Sequence, residues 1–225
     1  MKARFRNRVE AGQELAGRLS AYADRPDVVV LALPRGGVPV AGEVARSLHL
    51  PLDVFVVRKL GVPGQEELAM GAIASGGVRV LNGDVIGQLQ IAEAAIDAAA
   101  ARELEELERR EHCYRESRPP LDVKGRTILL VDDGIATGST MRAAIAALRQ
   151  LGAARIVVAT PTVASSTARE MDPELDGLIA VITPAHFLSV GQWYEDFTQT
   201  TDAEVRELLQ ERGPGGVPVP GPSQP

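Results

Sequence analysis

The chain has 225 residues, 45% hydrophobic and 24% charged, the balance of an ordinary globular domain. Its net charge of −6 argues against a broad basic face that grips nucleic acid regardless of sequence, and no apolar run approaches the roughly 18 residues of a membrane span. A lone cysteine (Cys113), three scattered histidines (His49, His112, His186) and an amino terminus without a signal-peptide core exclude an internal disulfide, give no metal-ligand spacing and point to a reducing cytoplasm.

Lys2, Arg4, Arg6 and Arg8 alternate at the start and read as a solvated or locally paired segment, with nucleic-acid or membrane contact as the alternative. Residues 9–23 carry the apolar spacing of an amphipathic helix. Residues 28–33 form an unbroken apolar run, which suits a strand buried on both faces. Pro34-Arg35-Gly36-Gly37 interrupts it, and a helix over 38–48 and a strand over 52–58 follow. Residues 61–64 read as a loop, and 69–81 as a two-stranded excursion turning at Ser75-Gly76-Gly77. Residues 91–117 are rich in Ala, Glu, Leu and Arg and predict a long helix, with Glu105–Arg109 and Glu106–Arg110 as i,i+4 pairs on an exposed face. Its alanine-rich first half suits close packing, against the domain or a second copy in a homodimer. Strands over 127–132, 155–160 and 178–183 alternate with helices over 141–151 and 166–171, and 202–212 is a last helix. The Gly/Pro-rich residues 213–225 read as a disordered tail. Such alternation predicts an α/β fold with a mainly parallel sheet flanked by helices. Ligands bind beyond the carboxyl ends of such strands, where the loops at 34–37, 58–64 and 132–140 converge.

The stretch V-D-D-G-I-A-T-G-S-T-M, residues 131–141, is the most informative. A buried strand ends in two carboxylates, a small-residue loop follows, and a helix begins. Backbone N–H groups and the dipole at a helix start favour an anion, and hydroxyls of Thr137, Ser139 and Thr140 add donors. Asp132 and Asp133, acceptors when ionised, suit sugar hydroxyls. A plain turn with a helix cap is the simpler alternative. The spacing does not fit a P-loop, which needs a lysine where Ser139 stands, nor a dinucleotide fingerprint.

This stretch resembles the motif by which type I phosphoribosyltransferases bind 5-phosphoribosyl 1-diphosphate (PRPP). The resemblance implies a type I phosphoribosyltransferase-like fold in one domain over 1–212, with a helical insertion at 82–118 and a small C-terminal hood at 184–200. It also implies that Asp132 and Asp133 bind the ribose hydroxyls, and that Ile135, Ala136, Thr137, Gly138, Ser139 and Thr140 wrap the 5-phosphate. The loop A-L-P-R-G-G-V-P-V-A is similar to the diphosphate loop of the bacterial xanthine–guanine branch, which assigns Arg35, Gly36 and Gly37 to the diphosphate. Family members often carry cations where Arg58 and Lys59 stand, which assigns these two residues to the diphosphate as well. The segment H-F-L-S-V-G-Q-W-Y-E-D-F loosely resembles the hood of purine-type enzymes, so Phe187 and Trp193 become acceptor-stacking candidates, with core packing the alternative for Trp193 and Phe197. Ala136 stands where 6-oxopurine enzymes carry an acid, and Thr160-Pro161-Thr162 where they carry a lysine. The acceptor therefore stays open, and no residue of a closing loop can be picked out.

The activity so implied is transfer of 5-phosphoribose from PRPP to a nitrogenous acceptor, with release of diphosphate. Mg²⁺ would be the cofactor, held through PRPP and water and in part by Asp132 and Asp133. A PRPP-binding sensor or regulator on the same fold is the alternative. No nucleic acid or membrane partner is expected.

Overall fold

A computed structural model describes residues 4–116, 119–120, 122–171 and 175–212. The tail at 213–225 and Ser117, expected as disordered and helical respectively, lie outside the described residues.

Five parallel strands form the central sheet, in the order β2-β1-β6-β7-β8. They are β1 (Val28–Ala32), β2 (Leu52–Val54), β6 (Thr127–Val131), β7 (Arg155–Thr162) and β8 (Gly177–Ile182). Every residue of β1 and β6 is buried, as unbroken Val/Ile/Leu runs require when helices cover both faces. Helices α1 (Arg8–Arg18) and α2 (Gly37–Leu48) pack on one face. Helix α5 (Ser139–Gln150) and α6 (Ser165–Met171) cover the other. In-register pairing of Ala32 with Val131 brings the ends of β1 and β6 to one level, while β7 runs three residues past Ala159, the partner of Val131, so the loops after β1 and β6 open on one side.

The expected strand over 52–58 is in fact two elements. The chain leaves the parallel sheet at Phe55, whose N–H donates to the Ala32 carbonyl. A separate antiparallel sheet then forms from β3 (Val57–Val62), β4 (Gln65–Ala74) and β5 (Val78–Leu81). The turn at 75–77 falls where expected, with positive φ at Gly76 and Gly77. Of residues 61–64, expected as a loop, Gly61 and Val62 belong to β3, which bulges at Leu60–Val62, and Pro63-Gly64 form the hairpin turn. Carbonyl and Cα of Glu66 would lie under 3 Å from a Cβ at Gly61, so the bulge requires glycine there.

The insertion holds two helices, α3 (Gly83–Leu89) and α4 (Glu93–Arg115). The alanine-rich half of α4 buries Ile96, Ala99 and Ala100 in the chain's own core, so that face is spent within the domain. Glu106 pairs with both Arg109 and Arg110. At the far end Arg115 reaches β2. Its Nε lies 2.9 Å from Asp53 Oδ1, and its Nη2 donates to the Val54 carbonyl at 2.6 Å. Helix α7 (Asp202–Arg212) closes the fold beside α2 and α4. No helix among the described residues is long and apolar enough to cross a membrane.

Candidate functional site

Beyond β6, the loop is fixed from its outer side. Ile135 N–H donates to the Thr162 carbonyl and Ala164 N–H to the Ile135 carbonyl, and Thr167 Oγ1 donates to the Ala136 carbonyl at 2.5 Å. Gly138 then caps α5 with φ +75°, a left-handed angle that favours glycine, and a Cβ there would lie 2.7 Å from Met171 Sδ. No side chain among the described residues caps α5, so the donors of its first turn face the open side. There lies a cavity of about 190 Å³, lined by residues 134–141, Asp132, Lys59 and Val190. This is below the roughly 300–1,000 Å³ of pockets that take whole drug-sized ligands. It suits a phosphate with part of a sugar. Ile135, Ala136, Thr137, Gly138, Ser139 and Thr140 all border it.

The two acids part company. Asp132 faces the cavity, and its Oδ1 accepts the Asp133 N–H at 2.9 Å. Burial, reinforced by the charge of Asp133, pushes its carboxyl well above the usual range. Asp133 is absent from the cavity lining. Its Oδ2 accepts from Arg8 Nε at 2.8 Å, and its carbonyl accepts from the Tyr194 hydroxyl at 2.6 Å. Burial raises the Asp133 carboxyl too, against the opposing pull of Arg8. The Arg8 and Asp133 side chains are only 11% and 12% exposed. Arg8, expected in a solvated or locally paired segment, is thus a buried partner of the acid motif.

The 34–37 loop packs directly on these acids. A Cβ on Gly36 would lie 2.1 Å from Asp133 Oδ2, and one on Gly37 would lie 2.8 Å from the Val131 carbonyl. Close approach is the physical demand for both glycines. Arg35 follows a cis peptide after Pro34 and its Nη1 sits 3.7 Å from Asp202 Oδ1. Asp202 also accepts from the Tyr114 hydroxyl at 2.9 Å.

Arg58 and Lys59 lie on β3, not at the end of a parallel strand, and alternation sends them to opposite faces. Arg58 pairs with Glu103 of α4 at 2.7 Å. Lys59 borders the 190 Å³ cavity and an adjoining groove of about 510 Å³ between α5 and the antiparallel sheet. Only Lys59 of the pair is brought to the α5 start.

The C-terminal segment folds over the same opening through a short 3-10 turn at Val190–Trp193. Phe187 and Trp193 pack on each other, with ring centroids 6.1 Å apart, and neither lines the cavity. Val190 does, and its Cγ1 would meet a Cβ on Gly134 at 2.3 Å. The amino-terminal segment straps this hood down. Phe5 N–H donates to the Trp193 carbonyl, and Glu195 and Asp196 N–H groups donate to the Phe5 and Arg6 carbonyls. Arg8 adds a bond from Nη1 to the Thr198 carbonyl at 2.7 Å and stacks 4.0 Å above the Phe197 ring. Arg8 and Val190 are the site residues that sequence reasoning did not assign, and Tyr194, an aromatic of the hood segment that could stack on an acceptor, instead donates to the Asp133 carbonyl. An arginine pairing 125 positions away leaves no local signal.

Known proteins bear on this geometry. Residues 4–179 match the model of the phosphoribosyl transferase domain family. A Mycobacterium tuberculosis protein, provisionally named a phosphoribosyl transferase, is 49% identical over 205 residues, covering 91% of this chain and 46% of its own. The chain therefore spans about half the length of that relative. The bifunctional protein PyrR of Chloroflexus aurantiacus is 35% identical over 120 residues, 52% of this chain and 60% of that protein. The crystal structure of TT1426 from Thermus thermophilus superposes with a TM-score of 0.83 at 40% identity, covering 94% of this chain and all of that one. The α/β fold expected from the sequence is the fold found. The family match stops at residue 179, short of the hood. The chain belongs to the phosphoribosyl transferase domain family.

Proposed function

We propose that this chain binds PRPP and transfers its 5-phosphoribosyl group to a nitrogenous acceptor, releasing diphosphate. One observation carries the reading: the α5 start, with no side-chain cap among the described residues, Asp132 and the Lys59 cation border a single cavity that suits a phosphate with part of a sugar. Donors of residues 136–140 would hold the 5-phosphate, with Ile135, whose N–H is engaged by the Thr162 carbonyl, only bordering it. Asp132 would accept from the ribose hydroxyls, with Asp133 supporting it from behind. Lys59, together with Arg35 of the neighbouring loop, would take charge building on the departing diphosphate.

The anomeric C–O bond breaks with its electron pair going to diphosphate. The acceptor nitrogen forms the new bond from the opposite ribose face, and the proton it carried leaves. Positioning and charge stabilisation suffice for this step. No group of three or more His, Cys, Asp or Glu side chains gathers among the described residues. Asp132 nevertheless offers an oxygen donor of the kind Mg²⁺ prefers and would help hold the ion, which would supply positive charge against the diphosphate. The hood face, with Val190 at the cavity and Phe187 and Trp193 behind it, would border the acceptor.

Calorimetric titration with PRPP and Mg²⁺, followed by a diphosphate-release screen over bases and amines, tests the reading. Tight binding with turnover of one acceptor is the expected result. Binding without turnover would leave a PRPP sensor, and no binding would reject the site. Lys59→Ala is expected to slow diphosphate release at least about tenfold, while Arg58→Ala, engaged with Glu103, stays within about threefold of wild type. Equal losses in the two variants would refute the assignment of Lys59.

A further inference from the structure

Asp133 is held at three points. Its carboxylate accepts from Arg8, its carbonyl accepts from Tyr194, and its N–H donates to Asp132 Oδ1. Arg8 is in turn fixed by the Thr198 carbonyl and the Phe197 ring. A buried guanidinium with a carboxylate, a carbonyl and an aromatic face around it has little freedom, since each contact restricts the same planar group. Asp133 therefore cannot turn to a ligand without abandoning a buried cation, and leaving such a cation without its acid is costly. Asp132 has no such tie to Arg8 and faces the cavity.

We propose that Arg8 is a positioning residue that splits the acid pair, anchoring Asp133 in the protein and thereby aiming Asp132 alone at the ribose hydroxyls. The proposal rests on the PRPP reading and deepens it. Arg8 acts through the Asp133 backbone, whose N–H fixes the rotamer of the Asp132 carboxylate. The 5-phosphate, by contrast, meets donors of residues 136–140 in a loop that hangs from Thr162, Ala164 and Thr167 and not from Arg8. Arg8 therefore affects the sugar part of the ligand and leaves the phosphate part alone.

Two probes separate those parts: inorganic phosphate and ribose 5-phosphate, titrated calorimetrically into the full chain. Arg8→Gln is expected to lose about tenfold in affinity for ribose 5-phosphate and to keep its affinity for inorganic phosphate within about twofold. Arg8→Lys retains a cation for Asp133 and is expected to recover most of the loss. It also keeps the test open should the glutamine variant fold poorly, which acrylamide quenching of Trp193, the single tryptophan, would report. Asp133→Asn keeps the N–H that meets Asp132 and is expected to fall between wild type and Arg8→Gln. Equal losses for both probes, or none for either, overturn the role of Arg8 while leaving the PRPP reading standing. A wild-type chain that binds phosphate but not the sugar phosphate rejects that reading, and the proposal with it.

Discussion

Asp132→Asn is expected to weaken PRPP binding about 100-fold and to raise the thermal midpoint of the free protein. The affinity loss follows from replacing an ionised acceptor by a neutral amide against two hydroxyls. Hydrogen bonds to charged groups contribute about 1.5–3 kcal/mol, and about 2.7 kcal/mol corresponds to 100-fold. The stability gain follows from the raised carboxyl of Asp132. A carboxyl that ionises at higher pH in the folded chain than in the unfolded chain favours folding while both are protonated. That contribution is lost as pH rises through the folded value. Ionising Asp132 in the folded chain therefore opposes folding, and asparagine removes the opposition while keeping an acceptor for the Asp133 N–H. A gain of about 1 kcal/mol would appear as roughly 2–4 °C, shrinking as acid protonates the wild type. PRPP affinity of the wild type should fall over the same pH interval, above the range of an ordinary aspartate. Calorimetric melts and titrations across pH check both arms. Unchanged PRPP affinity in the variant would refute the ribose role.

Arg115→Met should give the largest loss of stability, about 3–5 kcal/mol and on the order of 10 °C in midpoint. Arg115 and Asp53 are both buried, and the guanidinium also meets Glu111 Oε1 at 2.7 Å and the Val54 carbonyl. Removing the cation leaves the buried Asp53 without its guanidinium, and part of the desolvation cost of that charge returns. Asp53→Leu combined with Arg115→Met should recover much of the loss, because apolar replacement of both partners is often close to neutral. Urea unfolding of the three variants measures the difference. If Arg115→Met cost less than about 1 kcal/mol, the pair would be behaving like a surface contact. This pair is also what fixes the end of α4 to β2, so its loss should loosen the insertion before the sheet.

Much of the sheet was legible because strands covered on both faces read as continuous apolar runs. Residues 28–33 and 127–132 became β1 and β6, shifted by one residue at most. The acid motif was legible for a different reason: strand, carboxylates, glycine and hydroxyls must follow in order for a phosphate to fit. The exit at Phe55 was hidden because Phe55, Val56 and Val57 continue the apolar run with no turn residue to mark the break. Helix α3 was missed because two of its seven residues are glycine, a weak helix former. The division of labour between Arg58 and Lys59 required knowing that both stand on one strand, where neighbours face apart. Arg8 could not be found from spacing at all, since its partner is supplied only when α1, the hood and the β6 loop meet.

The Phe5–Arg8 strap bears on how the domain can be cut. A fragment starting at Val28 would keep every strand of the parallel sheet but lose α1, whose Leu15 and Ala16 are buried in the core. It would also lack the side chain that fixes Asp133 and the backbone that holds residues 193–196. Domain trimming guided by strand content alone would therefore uncover one face of the sheet and release the mouth of the site together. The same contacts argue for placing affinity tags on the carboxyl side, away from Phe5.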